Sequence, residues 1–330
     1  MNYTSFQDIF NDFNNVNVLI IGDVMIDAYI WGKVERMSPE APVPVVNVTK
    51  RDFRLGGAAN VALNVQALGA TPILCAIVGD DEKGKQFSER LIENNISPDG
   101  IVRSNDRPTT VKTRVISNHR HMVRVDEESD EEITPTELSL LKEKVASLIS
   151  KCHVVLFEDY DKGSINREII EFIVNLAQKS NIPTVVDPKK RNFMDYNGVT
   201  LFKPNLKELK EGLKVSFNVN DQDQLETVVN QLIDHLKCDS ALITLSEHGV
   251  YIKNKKDKHH IPAHVREIAD VSGAGDTVIS IAALCTALHL PIRLVAELAN
   301  LGGGLVCEHV GVVSIDKQEL LANAEKLVML

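Results

Sequence analysis

DVSGAGDT, residues 270–277, runs directly into an apolar, helix-like segment that begins near Val278. Gly273 and Gly275 carry no side chains, so backbone N–H groups can converge there on one anion. A helix that starts at this point directs the positive end of its dipole at the same anion. The stretch therefore predicts an anion-binding site at the start of a helix.

Asp276 stands at the predicted helix start and has two interpretations. Aspartate is a common N-cap residue, whose side chain accepts a hydrogen bond from a backbone N–H of the first turn. A carboxylate beside an anion site is also where a general base for a hydroxyl nucleophile would lie during phosphoryl transfer. The residue pattern by itself leaves both interpretations open.

Short apolar runs alternate with amphipathic stretches along most of the chain. The run 16–21 is followed by the amphipathic stretch 58–68, and the run 154–157 by 165–179. This alternation predicts the α/β class, with a mainly parallel central sheet covered by helices on both faces. Because no linker or internal repeat divides the sequence, we expect one domain over residues 1–330.

Two segments, at about 28–50 and 99–127, depart from this alternation. They are extended, rich in β-branched residues and partly alternating, which predicts a small β subdomain inserted into the larger body. Such a sheet can serve as a lid over ligands at the carboxyl ends of the main strands, or as a dimerisation surface. We expect a homodimer that forms through this β lid.

Composition limits the classes of function. A net charge of -10 and a pI near 5.5 argue against a nucleic-acid partner, since polyanion binders usually carry a basic surplus. The five cysteines are widely spaced and form no CxxC pair, which favours reduced core thiols over disulfides or zinc. No apolar run approaches the ~20 residues of a membrane span, so we expect no membrane partner and a cytoplasmic location.

Two other glycine-containing stretches fail as phosphate loops. IGDVMID, residues 21–27, lacks the GxGxxG pattern of a dinucleotide fold. GDDEKGKQ, residues 79–86, nearly matches a P-loop, but Gln86 stands where a Ser or Thr would bind magnesium. Its three successive acids would also repel phosphate. The stretch at 270–277 is therefore the preferred phosphate site.

DVSGAGDT resembles the D-x-x-G-A-G-D signature of the ribokinase-like (PfkB) carbohydrate kinases. RLGGAANVA, residues 54–62, with its glycine pair followed by an asparagine, resembles the signature near the amino end of the same family. The resemblance implies a three-layer α/β/α sandwich with a small β lid. It also implies a kinase that uses ATP and Mg²⁺, with K⁺ as a further candidate cofactor, to phosphorylate a sugar hydroxyl.

The resemblance assigns roles to individual positions of this chain. Asp276 becomes the catalytic base, and the amides of Gly273, Ala274, Gly275 and Asp276 stabilise the transferred phosphoryl group. Asn205 and Glu208 match the family's N-x-x-E, which organises Mg²⁺ through water. The residues matched to the nucleotide site are Thr244, Ser246, Gly249 and Asn300, with Ser246 replacing the usual first glycine of T-x-G-x-x-G. Asp270 and Ser272, with backbone groups of a second loop near residues 311–314, resemble a monovalent-cation site.

On the acceptor side, the resemblance implies contacts from the ends of the first strands. Asp23 and Asp27 would accept hydrogen bonds from sugar hydroxyls, Gly56 and Gly57 would allow close approach, and Asn60 would donate and accept. Read without the family, Asp23 would be a turn residue at a strand end.

The segment SPEAPVPV, residues 38–45, resembles a stretch of the heptose 7-phosphate kinases that act in the synthesis of ADP-heptose for lipopolysaccharide. GDVMID, EDYDKG at 158–163 and DPKK at 187–190 agree with that subfamily, although Glu158 replaces its more usual serine. The predicted partner is thus a small sugar phosphate, phosphorylated at the anomeric C1 hydroxyl. The additional predicted substrate contacts are Lys112, Arg114, Asp187 and Lys189. Kinases of fructose 6-phosphate, ribose or a nucleoside remain alternatives, as does a silent nucleotide-binding regulator.

Overall fold

The computed structural model describes residues 3–118, 120–264 and 266–330. The strands, numbered along the chain, are β1 (Asn17–Gly22), β2 (Val24–Met37), β3 (Pro44–Gly57), β4 (Thr71–Gly79), β5 (Ile101–Ser104), β6 (Val111–Ser117), β7 (Arg120–Glu127), β8 (Val154–Glu158), β9 (Thr184–Asp187), β10 (Leu201–Phe202), β11 (Ser240–Thr244), β12 (Val250–Asn254) and β13 (Lys258–Ile261). The helices are α1 (Phe6–Asp12), α2 (Ala58–Ala67), α3 (Glu82–Glu93), α4 (Pro135–Leu148), α5 (Arg167–Lys179), α6 (Leu206–Leu213), α7 (Gln222–Leu236), α8 (Ala274–Ala287), α9 (Ile292–Val306) and α10 (Lys317–Leu327).

The main sheet has nine strands in the order β13-β12-β11-β10-β9-β8-β1-β4-β5. Neighbouring strands from β11 to β5 are parallel, and β12 and β13 add an antiparallel hairpin at one edge. The predicted α/β fold with a mainly parallel sheet is confirmed. The edge hairpin of β12 and β13 was not predicted from the sequence. Strand β13 consists of three polar residues and one isoleucine, so it lacks the apolar pattern of a strand: Lys258, His259, His260 and Ile261.

Both faces of the main sheet are covered by helices. Alternate residues of β1 point to opposite sides: Val18 and Ile20 pack in the core that contains α2, α8 and α9, whereas Leu19 and Ile21 pack in the core that contains α4, α5 and α7. A strand buried on both faces is apolar at every position, which explains why the first run lacks polar alternation.

The carboxyl ends of β1, β8 and β9 lie side by side near the middle of the sheet. Gly22 pairs with Glu158, and Glu158 pairs with Asp187, so three strands end in register. In an open α/β sheet, the crevice outside these ends is the usual ligand site. Helix α8 begins on the same side.

The second sheet has four strands in the order β3-β2-β6-β7. It includes most of the two segments predicted as a lid, with different boundaries. Strands β2 and β3 extend from Val24 to Gly57, beyond the predicted 28–50, while the start of 99–127 was placed too early. Ile101–Ser104 forms β5, which pairs with β4 in the main sheet.

No helix in the described part of the chain is long and apolar enough to cross a membrane.

Candidate active site

Helix α8 starts at the predicted anion-binding stretch. Gly273 is its N-cap residue and adopts a left-handed φ of 81°, a conformation that glycine reaches without steric cost. Asp276 lies in the first turn, so the N-cap interpretation of this aspartate is wrong. Its carboxylate is instead directed at two side chains from other elements.

The Asp276 carboxylate is held between Asn60 and Tyr160. Asn60 Nδ2, on α2, donates to Asp276 Oδ2 at 2.6 Å, across 216 positions of sequence. Tyr160 Oη, in the loop after β8, donates to Asp276 Oδ1 at 3.1 Å. The two glycine-containing motifs are therefore brought together at one carboxylate, which is 7% exposed.

The surroundings of Asp276 favour its protonated form more than water does. Burial raises the pKa of this carboxyl to about 6, and the negative charge of Asp187 acts in the same direction. Hydrogen bonds from Asn60 and Tyr160 and the charge of Lys203 lower the pKa, because they favour the ionised form. A carboxyl with a pKa near 6 is a stronger base than an ordinary aspartate and is still ionised at neutral pH.

Two lysines pair with Asp187 at the end of β9. Lys203 Nζ lies 2.8 Å from Asp187 Oδ2, and both side chains are buried. Lys189 Nζ lies 3.7 Å from Asp187 Oδ1 and 3.0 Å from Glu208 Oε1. Asp187 and Lys189, predicted as substrate contacts, thus form an ion-pair network behind the start of α8.

Glu158 is the unusual member of this region. It is fully buried at the end of β8, and neither carboxyl oxygen has a hydrogen-bond partner among the described residues. Burial, followed by the negative charges of Asp187 and Asp276, raises its pKa well above the usual range. The neutral acid is therefore the favoured form of Glu158.

Asn205 and Glu208 form a capping box at the start of α6. Glu208 N donates to Asn205 Oδ1 at 2.9 Å, and Asn205 N donates to Glu208 Oε2 at 2.8 Å. This arrangement gives the N-x-x-E spacing a structural role of its own. Glu208 Oε1 pairs with the Lys189 ammonium, so this oxygen would have to exchange that cation for a metal. The magnesium role of both residues stays a prediction.

The residues predicted to bind nucleotide follow β11. Thr244 forms an isolated bridge with Asn205, which places this loop next to α6. Ser246 and Gly249 both have positive φ, of 53° and 82°. Asn300, on α9, donates from Nδ2 to the carbonyl of Pro262 at 2.9 Å and ties that helix to the loop after β13.

Asp270 joins the two loops of the predicted cation site. Its Oδ1 accepts hydrogen bonds from the backbone and hydroxyl of Ser272, and its Oδ2 accepts one from Gly311 N at 3.0 Å. Hydrogen bonds from the Ser272 backbone, then its side chain, lower the pKa of Asp270. The predicted loops do meet, and the ion remains a prediction.

A cavity of about 230 Å³ lies between the lid and the main body. Asp27, Arg54 and Asn60 contribute polar groups to its wall. Gly56 lies opposite Met25 on β2, and a Cβ at this position would lie 2.3 Å from Asp27 Oδ2. Only glycine leaves room for the carboxylate here.

The remaining predicted acceptor contacts are occupied by partners within the chain. Arg114 forms an ion pair with Asp27. Lys112 pairs with Glu128 at 2.8 Å and with Asp126 at 3.4 Å. To bind a substrate phosphate, either cation would have to exchange a carboxylate for it.

Asp23 does not face the cavity. It is 1% exposed, and its carboxylate accepts hydrogen bonds from the backbone N–H groups of Tyr160, Lys162 and Ser164 at 2.9, 3.1 and 3.2 Å. Asp23 therefore orders the loop after β8. Gly57 lies against the backbone carbonyl of Asp23 and has a φ of 61°. A Cβ on Gly57 would clash with that carbonyl oxygen.

Sequence reasoning missed Tyr160, Lys203 and the buried state of Glu158. Tyr160 and Glu158 lie within EDYDKG, and Lys203 stands two residues before Asn205, so the motifs that contain them were visible. Their roles were not, because each depends on contacts with α8 or β9, which are distant in sequence.

Comparison with known proteins gives a consistent result. The model of the pfkB family of carbohydrate kinases matches residues 15–318. Bifunctional protein HldE of Syntrophotalea carbinolica is 35% identical over 321 residues, which cover 97% of this chain and 65% of that protein. HldE of Campylobacter fetus is 36% identical over 296 residues, covering 90% of this chain and 64% of that protein. The chain thus spans somewhat less than two thirds of the relatives it matches.

Solved structures share the fold at low identity. Phosphofructokinase-2 from Escherichia coli in complex with potassium has a TM-score of 0.76 and 17% identity, with 94% of this chain and 99% of that chain covered. Ribokinase of Arabidopsis thaliana, complexed with ribose and ATP, has a TM-score of 0.69 and 16% identity, with 93% and 98% covered.

Proposed function

The chain belongs to the pfkB family of carbohydrate kinases, and on that premise we propose that it transfers the γ-phosphoryl group of ATP to the anomeric C1 hydroxyl of D-glycero-D-manno-heptose 7-phosphate. The product is the 1,7-bisphosphate. Two observations support the heptose acceptor: the SPEAPVPV stretch at 38–45, and an identity of 35% with the bifunctional protein HldE.

The observation that carries the proposal is the contact between Asn60 and Asp276. It joins a buried carboxylate with a raised pKa, at the start of α8, to Asn60, whose side chain lines the lid cavity. In the reaction, the acceptor hydroxyl gives its proton to Asp276 as its oxygen bonds to the γ-phosphorus. The bond from that phosphorus to the bridging oxygen of ADP breaks at the same time.

Charge stabilisation comes from the start of α8. The amides of Gly273, Ala274 and Gly275 precede or open the helix, whose N-terminal dipole favours a developing negative charge. The Asp187–Lys203 pair lies behind them, since a Cβ on Gly275 would be 3.8 Å from Asp187 Oδ2. Mg²⁺, held through water near Glu208, and K⁺, at the Asp270 loop, would supply further positive charge.

An anionic acceptor suits the lid cavity. Arg54 and Arg90 line it and are both partly exposed, each paired with a single carboxylate. A phosphate at the far end of the sugar would supply binding energy that positions the C1 hydroxyl against Asp276.

The test is a steady-state comparison of four acceptors: heptose 7-phosphate, free heptose, fructose 6-phosphate and ribose, with the phosphorylated position assigned by phosphorus NMR. We expect kcat/KM for the 7-phosphate to exceed that for the free heptose by roughly 100-fold. Arg54→Ala should reduce this preference, whereas Arg124→Ala, at an exposed lid arginine outside the cavity, should not. A preference for ribose or fructose 6-phosphate would exclude the heptose assignment.

Asp276→Asn tests the chemistry itself. We expect kcat to fall by about 10² to 10⁴ with little change in ATP affinity, because the base is lost and the nucleotide contacts remain. Turnover close to that of the wild type would remove Asp276 from the role of base. Absence of ADP formation by the wild type with every sugar would favour the silent regulator.

A further inference from the structure

We propose that Tyr160 is a positioning residue for Asp276, whose hydroxyl holds the carboxylate in the orientation in which it accepts the proton of the acceptor. This inference rests on the proposed kinase function and extends it to a residue that the family motifs do not include. It depends on the geometry of one loop, residues 159–164.

Two hydrogen bonds from side chains hold the Asp276 carboxylate. Tyr160 Oη donates to Oδ1, and Asn60 Nδ2 donates to Oδ2. With one donor on each oxygen, the carboxylate plane cannot rotate about the Cβ–Cγ bond without losing a hydrogen bond. Each oxygen keeps a free lone pair for the acceptor hydroxyl. Without Tyr160, the Asn60 contact would be the one remaining side-chain hydrogen bond on the carboxylate among residues 3–118, 120–264 and 266–330.

Tyr160 is itself held in place by its surroundings. Asp23 accepts backbone hydrogen bonds from Tyr160, Lys162 and Ser164, so it anchors the loop to the end of β1. The Lys189 ammonium lies 5.2 Å from the centre of the Tyr160 ring, a cation–π contact that fixes the ring from its face. The hydroxyl is therefore directed by two independent contacts.

Tyr160 acts as the donor in its hydrogen bond with Asp276. Burial, and then the negative charges of Asp276 and Asp187, raises the pKa of the phenol well above its usual value. The phenol keeps its proton throughout the range in which the enzyme would work. Its hydrogen bond to Asp276 strengthens as the carboxylate ionises.

The other polar groups around Asp276 are distinguishable from Tyr160. Asp187, at the end of β9, opposes ionisation of Asp276, whereas Lys203, just after β10, favours it. Glu158, at the end of β8, is neutral in its favoured form. The amide of Asn60, on α2, is the second donor. Removing the Tyr160 hydroxyl thus deletes one stabilising contact of the ionised form and leaves every formal charge in place.

The experiment is Tyr160→Phe, with Tyr251→Phe as the matched control. Tyr251 also carries a buried hydroxyl, which has no hydrogen-bond partner within the described residues, and it lies on β12 outside the site. For Tyr160→Phe we expect kcat to fall about 10- to 100-fold with the acceptor KM changed by less than about threefold. The acid limb of the kcat/KM profile should move up by about one pH unit, since the ionised base has lost a hydrogen bond. The control should match the wild type.

A second measurement does not depend on turnover. Carbon NMR of carboxyl-labelled aspartate, with the Asp276 signal assigned from its loss in Asp276→Asn, follows the titration of the base directly. An upward shift of this titration in Tyr160→Phe supports the proposal, even if no tested sugar is phosphorylated and the kinase assignment fails. Superimposable titrations and pH profiles would overturn it, whatever the loss of kcat, because a merely structural effect would leave them unchanged.

Discussion

Glu158 ends β8 with both carboxyl oxygens buried and, among the described residues, without a hydrogen-bond partner. An ionised carboxylate in such a position would be strongly destabilising. The surrounding charges add to this, since Asp187 and Asp276 repel a further negative charge. The neutral acid avoids most of the cost, so Glu158 binds its proton more tightly in the folded protein than in the unfolded chain.

This difference predicts how Glu158→Gln changes stability with pH. A pKa raised by folding contributes stability that is fully present below the unfolded pKa and is lost as pH rises through the folded pKa. Glutamine has no such dependence. The variant should therefore gain stability over the wild type above about pH 4.5, by about 1.4 kcal/mol for each pH unit up to the folded pKa.

Thermal unfolding of both proteins between pH 5 and pH 8 measures this gain. Asp159 and Asp276, whose pKa values are raised to about 6, titrate in both proteins and largely cancel in the difference. Glu143→Gln, at an exposed position of α4, serves as the control for the same substitution without burial. A pH-independent difference for Glu158→Gln would contradict the neutral state of this residue.

At the scale of elements, α6 carries the clearest conflict between two roles of one motif. The capping box of Asn205 and Glu208 explains their spacing without a metal. Glutamine in place of Glu208 preserves the capping box, because its side-chain carbonyl can accept the same hydrogen bond from Asn205 N. The substitution removes the negative charge that would attract magnesium. One substitution thus separates the two roles.

Glu208→Gln should raise the magnesium concentration for half-maximal rate by about tenfold or more, while thermal stability falls only through loss of the ion pair with Lys189. Glu137→Gln is the matched control, since Thr134 and Glu137 form the same capping box at the start of α4. Equal magnesium titrations for wild type and Glu208→Gln would show that the motif only begins a helix.

The sequence predicted the positions of buried strands better than the contacts of individual side chains. The apolar runs predicted β1 and β8 to within about a residue, because buried parallel strands have few alternatives. Asp23 was predicted as a sugar contact, yet its oxygens bind the backbone of a loop more than 130 positions away. Neither pattern nor motif indicates which direction a strand-end carboxylate faces. The partners of Asp276 were hidden for the same reason.

Ser246 illustrates a departure that the structure explains only in part. The residue stands where the family pattern has glycine, and its φ of 53° is the left-handed conformation that glycine adopts freely. The backbone of the loop therefore keeps the shape suited to glycine in spite of the substitution, at a cost of about 1 kcal/mol. Nothing in the structure explains why serine is present.

At the scale of the whole molecule, the lid sheet has an apolar surface that the other described residues do not cover. Val123 and Val125 on β7 and Val48 on β3 are all about half exposed. Strand β7 is also at the edge of its sheet, where unpaired backbone groups are available to another strand. We propose that a second copy of this chain covers the surface and forms a homodimer.

Sedimentation velocity at micromolar concentration tests this assembly. The wild type should sediment at about twice the chain mass of 36.5 kDa, and Val123→Lys should sediment as the monomer, since a buried ammonium would destabilise the interface. Leu140→Lys, at a leucine on α4 that is 41% exposed, is the matched control and should leave the dimer intact. A monomeric wild type would rule out the lid dimer under these conditions.

The hydrogen bond between Asn60 and Asp276 also has a consequence for biosynthesis. The two residues are 216 positions apart, so at a translation rate of about 5–20 residues per second the ribosome adds Asp276 roughly 10–40 s after Asn60. During that interval β1 can already pair with β4 and then β8, while α2 lacks the helix α8 that covers it. The apolar face of α2 that α8 later covers is therefore exposed on the nascent chain, and it is a surface on which a chaperone can act before the enzyme becomes competent.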